Sequence, residues 1–138
     1  MTIRHIARTG YRGYIASRPI LGHRTPQQVQ NLVVRDFATK QGLPFLLSAT
    51  EYTMAGCFLV LEGVLNEIET LDGMIIYSLF MLPSDDCRRR HVYERILLAG
   101  ATLYAAVEGD RITNTADIER VEDIWQVMKT MKHCPQTV

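Results

Sequence analysis

Apolar residues along this chain fall into short dense runs separated by segments in which they recur every three or four positions, which predicts strands alternating with helices. The run Tyr14-Ile15-Ala16 predicts the first strand, and Ser17-Arg18-Pro19 ends it because Pro19 disfavours helical geometry at Arg18. Thr25-Pro26-Gln27-Gln28 then reads as a capping box, with Thr25 as N-cap and proline at the first helical position. In the helix that follows, Val29, Leu32, Val33, Phe37 and Ala38 form the expected buried stripe, Gln27, Gln30, Asn31 and Arg35 the opposite face, and Gly42 the C-cap. Residues 44–49 (PFLLSA) predict a second strand and residues 54–69 a helix with Phe58, Leu61, Leu65 and Ile68 on one face. Residues 74–82 (MIIYSLFML) read as a strand buried on both faces, and Ser84 caps a helix reaching Leu98. Residues 102–107 (TLYAAV) supply a fourth strand, closed by Glu108-Gly109-Asp110, and a last helix starts near Ala116.

Four strand-helix units predict an α/β fold: a small doubly wound parallel sheet of about four strands with helices on both faces. Ile15, Leu46, Ile75, Ile76 and Ala105 are expected inside it. The length fits one domain over residues 1–138, with 1–10 as a flexible arm and 133–138 as a frayed end. In such a sheet the strand exits share one edge, so Ser17, Arg18, Glu51, Tyr52, Ser84, Asp85 and Glu108 become neighbours. For strand order 2-1-3-4 a ligand crevice opens between the first and third strands, beside Ser17, Arg18 and Pro83.

Composition adds boundaries to this picture. Fifteen basic and fifteen acidic residues cancel, which argues against nucleic acid and anionic membranes as partners, and no apolar run is long enough for a membrane span. Residues 1–24 nevertheless hold five arginines and no carboxylate, which keeps a small anionic ligand in play. Cys57, Cys87 and Cys134 are odd in number and lack metal-ligand spacing, which suits free thiols in a reducing cytoplasm and no bound metal. Neither a GxGxxG turn nor a P-loop lysine is present, so no cofactor is expected.

Candidate chemistry concentrates after the first strand. Arg18, Arg24 and the helix start at Thr25 bring guanidinium charge and orphan N–H groups together, the makings of an anion site. Ser17 ends the strand as a turn residue or a nucleophile, and His23 is the titratable group near neutral pH. Glu51 could serve as a base or accept from a sugar hydroxyl, Tyr52 could stack on a sugar ring, and Ser84 could contact substrate. Arg88-Arg89-Arg90-His91 reads as a solvated helical face, without the interleaved aromatics of a nucleic-acid surface. Val121, Trp125, Met128 and Met131 offer more apolar surface than a four-stranded sheet covers, which predicts a homo-oligomer.

Two resemblances join these readings. The layout, and especially DGMIIYSLFMLPSD followed by a helix and LLAGATLYAAVEGDRI, resembles the catalytic domain of resolvase-type serine recombinases, within a sheet type shared with flavodoxin-like folds. Ser17 stands about where that family keeps its nucleophile. Ile15 and Ala16 replace its preceding arginine, and Phe80, Met81 and Ser84 stand where its third-strand exit carries an Asp-Arg pair and a further Arg. Those departures, with no DNA-binding domain expected after the last helix, argue against strand exchange. Separately, GYIASRPILGHRTPQQVQNLVVRDF and FLLSATEYTMAGCFLVLE are similar to sporadic carbohydrate cluster proteins, a small family found among bacterial surface-sugar biosynthesis genes. That similarity implies a small enzyme acting by acid/base chemistry on an anionic sugar, whether sugar phosphate, nucleotide sugar or sugar acid. The alternative is a noncatalytic binding or assembly protein of the same pathway.

Overall fold

The computed structural model describes residues 9–51 and 57–133. Strands β1 (Tyr11–Ala16), β2 (Phe45–Glu51), β3 (Gly73–Ile76), β4 (Thr102–Ala105) and β5 (Asp110–Ile112) form one sheet in the order β2-β1-β3-β4-β5. The first four are mutually parallel, as expected, and β5 returns antiparallel to β4. The sequence pattern predicts four strands and not this fifth one, because Glu108-Gly109-Asp110 has the composition of a terminal turn. Gly109, at φ 70°, instead reverses the chain into a three-residue hairpin arm.

Helix α1 (Gln27–Gln41) covers one face, packing Val34 and Ala38 on Ile15 and Ile75. Helices α2 (Leu59–Asn66), α3 (Asp86–Leu98) and α4 (Thr115–His133) cover the other, around Tyr14, Met74, Ile76 and Leu103. Of the expected interior positions, Ile15, Ile75, Ile76 and Ala105 are buried and Leu46, near the edge, is half-buried. β3 is shorter than its apolar run because the chain turns after Ile76: Ser78 caps a 3-10 turn over Leu79–Met81. Its tight fit between β1 and β4 needs Gly73, where a Cβ would collide with the Thr102 carbonyl and the Tyr11 ring.

Helix α1 is rotated from its expected orientation. Gln30, assigned to the solvent face, is fully buried, while Val29 and Leu32 of the expected stripe are exposed. The cause lies in the sheet: β1 pairs with β3 only as far as Tyr14, leaving the Ala16 backbone without a strand partner on that side. Gln30 replaces the missing strand, accepting from the Ala16 N–H at 3.0 Å and donating to the Ala16 carbonyl at 2.6 Å. A buried N–H and C=O left without partners would cost about 1–3 kcal/mol each, enough to offset what burying Val29 and Leu32 would gain. The capping box also fails to form. Pro26 is the N-cap, no side chain caps the helix, and the Thr25 carbonyl accepts from Gln30 Nε2 at 2.9 Å.

The basic run on α3 is solvated at Arg88, Arg90 and His91, as expected, but not at Arg89. Arg89 is fully buried and all five of its N–H donors are engaged. Nε and Nη2 grip Glu122 of α4 bidentately at 2.7 Å each, Nη2 also reaches Asp86, and Nη1 donates to the Pro83 and Ser84 carbonyls. The Trp125 ring lies 4.2 Å from the guanidinium carbon, and Tyr93 donates to Glu122 at 2.7 Å. Trp125 and Val121 are therefore interior residues, not the surface from which an oligomer was expected.

Burial disfavours the Glu122 charge, but the Arg89 and Tyr93 hydrogen bonds outweigh it and hold the carboxyl below its ordinary value. Lys129 and Arg89 pull Asp86 down to about 2. Carboxyls depressed on folding stabilise the native state above their unfolded values, and that stability is lost as pH falls through the folded ones. Acid unfolding is thus expected between the ordinary carboxylate range and pH ~2; circular dichroism on the parent and on Glu122→Gln should show a flatter acid limb in the variant. Arg89→Ala, which strands Glu122, should cost about 3–5 kcal/mol by urea unfolding, whereas Arg90→Ala, on the exposed side, should cost under about 1 kcal/mol.

Candidate functional site

The exits of β1, β2 and β3 meet at one edge, as the topology requires, and the crevice between β1 and β3 is filled by Arg18. Its Nη1 donates to the Cys57 carbonyl at 3.1 Å and its Nη2 to the Met81 carbonyl at 2.9 Å, joining the segment before α2 to the turn after β3. Its guanidinium lies 4.4 Å from the Phe58 ring centroid, and the Arg88 guanidinium approaches the same ring at 5.1 Å. Two cations thus share one aromatic ring. Against them opens a depression of about 220 Å³, lined by Phe58, Glu62, Pro83, Cys87, Arg88 and His91 among others. Arg88 and His91 are exposed, as a solvated face implies, and the fold brings them together with Phe58.

Glu51 is buried at the end of β2 and serves the architecture. Its Oε1 accepts from the Tyr14 hydroxyl at 2.9 Å and the Leu61 N–H at 3.2 Å, and its Oε2 from the Val60 N–H at 3.1 Å. A carboxylate thereby neutralises the first turn of α2, which no N-cap side chain serves. Burial, with the neighbouring Glu51 charge, pushes the Tyr14 hydroxyl well above its ordinary value, so Tyr14 donates without ionising. Ser17 is anchored to the same residue, with its N–H 3.0 Å and its hydroxyl 3.3 Å from the Glu51 carbonyl oxygen.

The remaining expected residues disperse. His23 pairs through its backbone with Ile20 across a turn whose central residues, Leu21 and Gly22, both have positive φ, and its side chain and that of Arg24 are exposed. Ser84 is exposed and lends its carbonyl to Arg89; Asp85, not Ser84, caps α3 by accepting from the Arg88 N–H at 2.9 Å. Tyr52 lies outside the described residues. Glu108, expected among the strand-exit residues, clamps the turn after β3, accepting from Ser78 Oγ at 2.7 Å and the Leu79 N–H at 2.9 Å. Among the described residues no set of three or more His, Cys, Asp or Glu is placed to hold a metal ion, and no helix is long and apolar enough to cross a membrane.

No protein-family model and no curated protein matches the chain. Among solved structures, it is similar to a resolvase family site-specific recombinase from Streptococcus pneumoniae, with a TM-score of 0.61 and 12% identity over 90% of this chain and 95% of that one. It is also similar to the N-terminal catalytic domain of TP901-1 integrase, with a TM-score of 0.57 and 14% identity over 88% of this chain and 95% of that one. The fold is therefore resolvase-like, as the layout of elements implied. The expectation that nucleic acid is excluded as a partner is overturned: a balanced net charge does not rule it out for a fold that a site-specific recombinase and an integrase catalytic domain both use.

Glu51 lends itself to a direct test of its structural role. Glu51→Ala should leave Val60, Leu61 and Tyr14 without their acceptor and lower stability by about 2–4 kcal/mol, with loss of helical signal, in a denaturant titration. Ser17→Ala, which removes the 3.3 Å bond from the hydroxyl to the Glu51 carbonyl, should cost about 1 kcal/mol.

Proposed function

We propose that this chain is a resolvase-fold protein of bacterial surface-carbohydrate biosynthesis that binds a phosphorylated or nucleotide-linked sugar in the cleft between α2 and α3, as a binding or assembly protein and not by acid/base turnover. The observation that carries the reading is the convergence of Arg18 and Arg88 on Phe58 beside the 220 Å³ depression. A phosphate would meet the Arg88 guanidinium there, with His91 and the Glu62 carboxylate also in the lining, and an aromatic ring with apolar Leu61 and Pro83 for the rest of the ligand. Against acid/base catalysis stand Glu51, with both oxygens engaged in capping α2, and His23, exposed on its own turn. The resemblance of residues 13–37 and 45–62 to sporadic carbohydrate cluster proteins supports the choice of a sugar-linked anion.

Titration calorimetry with a nucleoside-diphosphate sugar tests this. Arg88→Ala should weaken binding roughly ten- to a hundredfold at unchanged melting temperature, the loss of a charge-assisted contact of about 1.5–3 kcal/mol. Arg18→Ala should weaken binding and also lower the melting temperature, because Arg18 braces two loops as well. Equal affinity in Arg88→Ala and the parent would reject the site. Turnover of the sugar followed by NMR would reject the binding role, and tighter Arg88-dependent binding of duplex DNA would move the ligand to nucleic acid.

A further inference from the structure

A second depression, of about 350 Å³, lies on the opposite face of the sheet, between α1 and the outer edge strand β2. Gln27, Gln28, Asn31 and Arg35 of α1 form one wall, and Phe45 and Ser48 of β2 contribute to the other. No aspartate or glutamate lines it. The floor is shaped for these side chains: at Gly13 of β1 a Cβ would clash with Ser48 Oγ and press on the Phe45 ring. Ser48 donates to Asn31 Oδ1 at 2.6 Å, which fixes the amide and leaves its Nδ2 donors directed away from that bond. Gln27 and Gln28 make no side-chain hydrogen bond among the described residues, and the Arg35 guanidinium stands 5.8 Å from the Phe45 ring centroid.

Three primary amides with a hydroxyl and an aromatic ring define a particular chemistry. Each amide offers a donor and an acceptor a short distance apart, the pairing that adjacent hydroxyls on a ring present, and the ring offers an apolar platform for a C–H face. One guanidinium without further cations is too little charge to select a phosphate. From this we infer that the α1–β2 groove is a binding site for an uncharged sugar ring, separate from the anion site and independent of the reading proposed for it. A chain with both sites could hold a glycan at two points, one charged and one neutral.

The test is NMR titration of the isotope-labelled full chain with glucose, galactose and N-acetylglucosamine at millimolar concentrations, with adenosine as the competing planar ligand. The expected result is saturable shifts in the side-chain amides of Gln27, Gln28 and Asn31 with at least one sugar, weakened at least tenfold in Asn31→Ala and in Gln28→Ala. Both substitutions lie on the outer part of α1, and the titration of the parent stands whether or not a variant folds. Arg88→Ala should bind the neutral sugar as the parent does, so failure of either site is read separately. Absence of shifts with all three sugars, shifts mapping elsewhere, or a response to adenosine alone would overturn the inference.

Discussion

A buried arginine cannot lose its charge, so a fold that encloses one must bring it acceptors on every side. Arg89 draws four acceptor residues together for that reason: Glu122 from α4, Asp86 from the first turn of α3, and the carbonyls of Pro83 and Ser84 from the segment leaving β3. The guanidinium sits against Trp125, which in turn packs 5.2 Å from Phe80 in the turn after β3. These contacts hold the middle of α4 against the core beside Val121, while Thr113 donating to Asp117, and Arg120 donating to Asp110 and the Arg111 carbonyl, tie down its start. Although burial opposes the charge, the hydrogen bonds Arg89 donates to Glu122 and Asp86 hold its guanidinium above its ordinary value.

The carboxyl edge of the sheet follows the same logic on a smaller scale. Gln30 completes the end of β1, Glu51 the start of α2, Glu108 the turn after β3, and Arg18 the carbonyls of Cys57 and Met81. Each polar side chain there answers a backbone group that the short, unequal strands leave exposed. This is why a crevice that the topology opens at the switch point is largely occupied by the chain itself. What stays accessible is the outer rim at Phe58, where Arg88 and His91 arrive from α3.

The two faces differ accordingly. Three helices and most of the apolar volume lie on one, whereas α1 alone covers the other, and its rotation toward Gln30 leaves Val29 and Leu32 in solvent. The same rotation places Gln27, Gln28 and Asn31 along the open margin of β2. Position on the sheet, not sequence proximity, makes these amides a group with Phe45 and Ser48.

Local chemistry determined much on its own: four of the strands, the four helices and the Gly42 cap follow from runs, periods and turn residues, because each is set within a few positions of the chain, and the alternation of strand and helix implies the parallel sheet. Sequence also located the edge where Ser17, Arg18 and Glu51 meet. Only the tertiary structure decided which polar residues are interior. Gln30, Glu51 and Arg89 carry polar groups that periodicity assigns to water, and their partners, Ala16, Tyr14 and Glu122, lie 14, 37 and 33 positions away. Those pairings depend on where strands stop and helices cross, and no hydrophobic pattern encodes the unsatisfied backbone atom that draws a glutamine or an arginine inside.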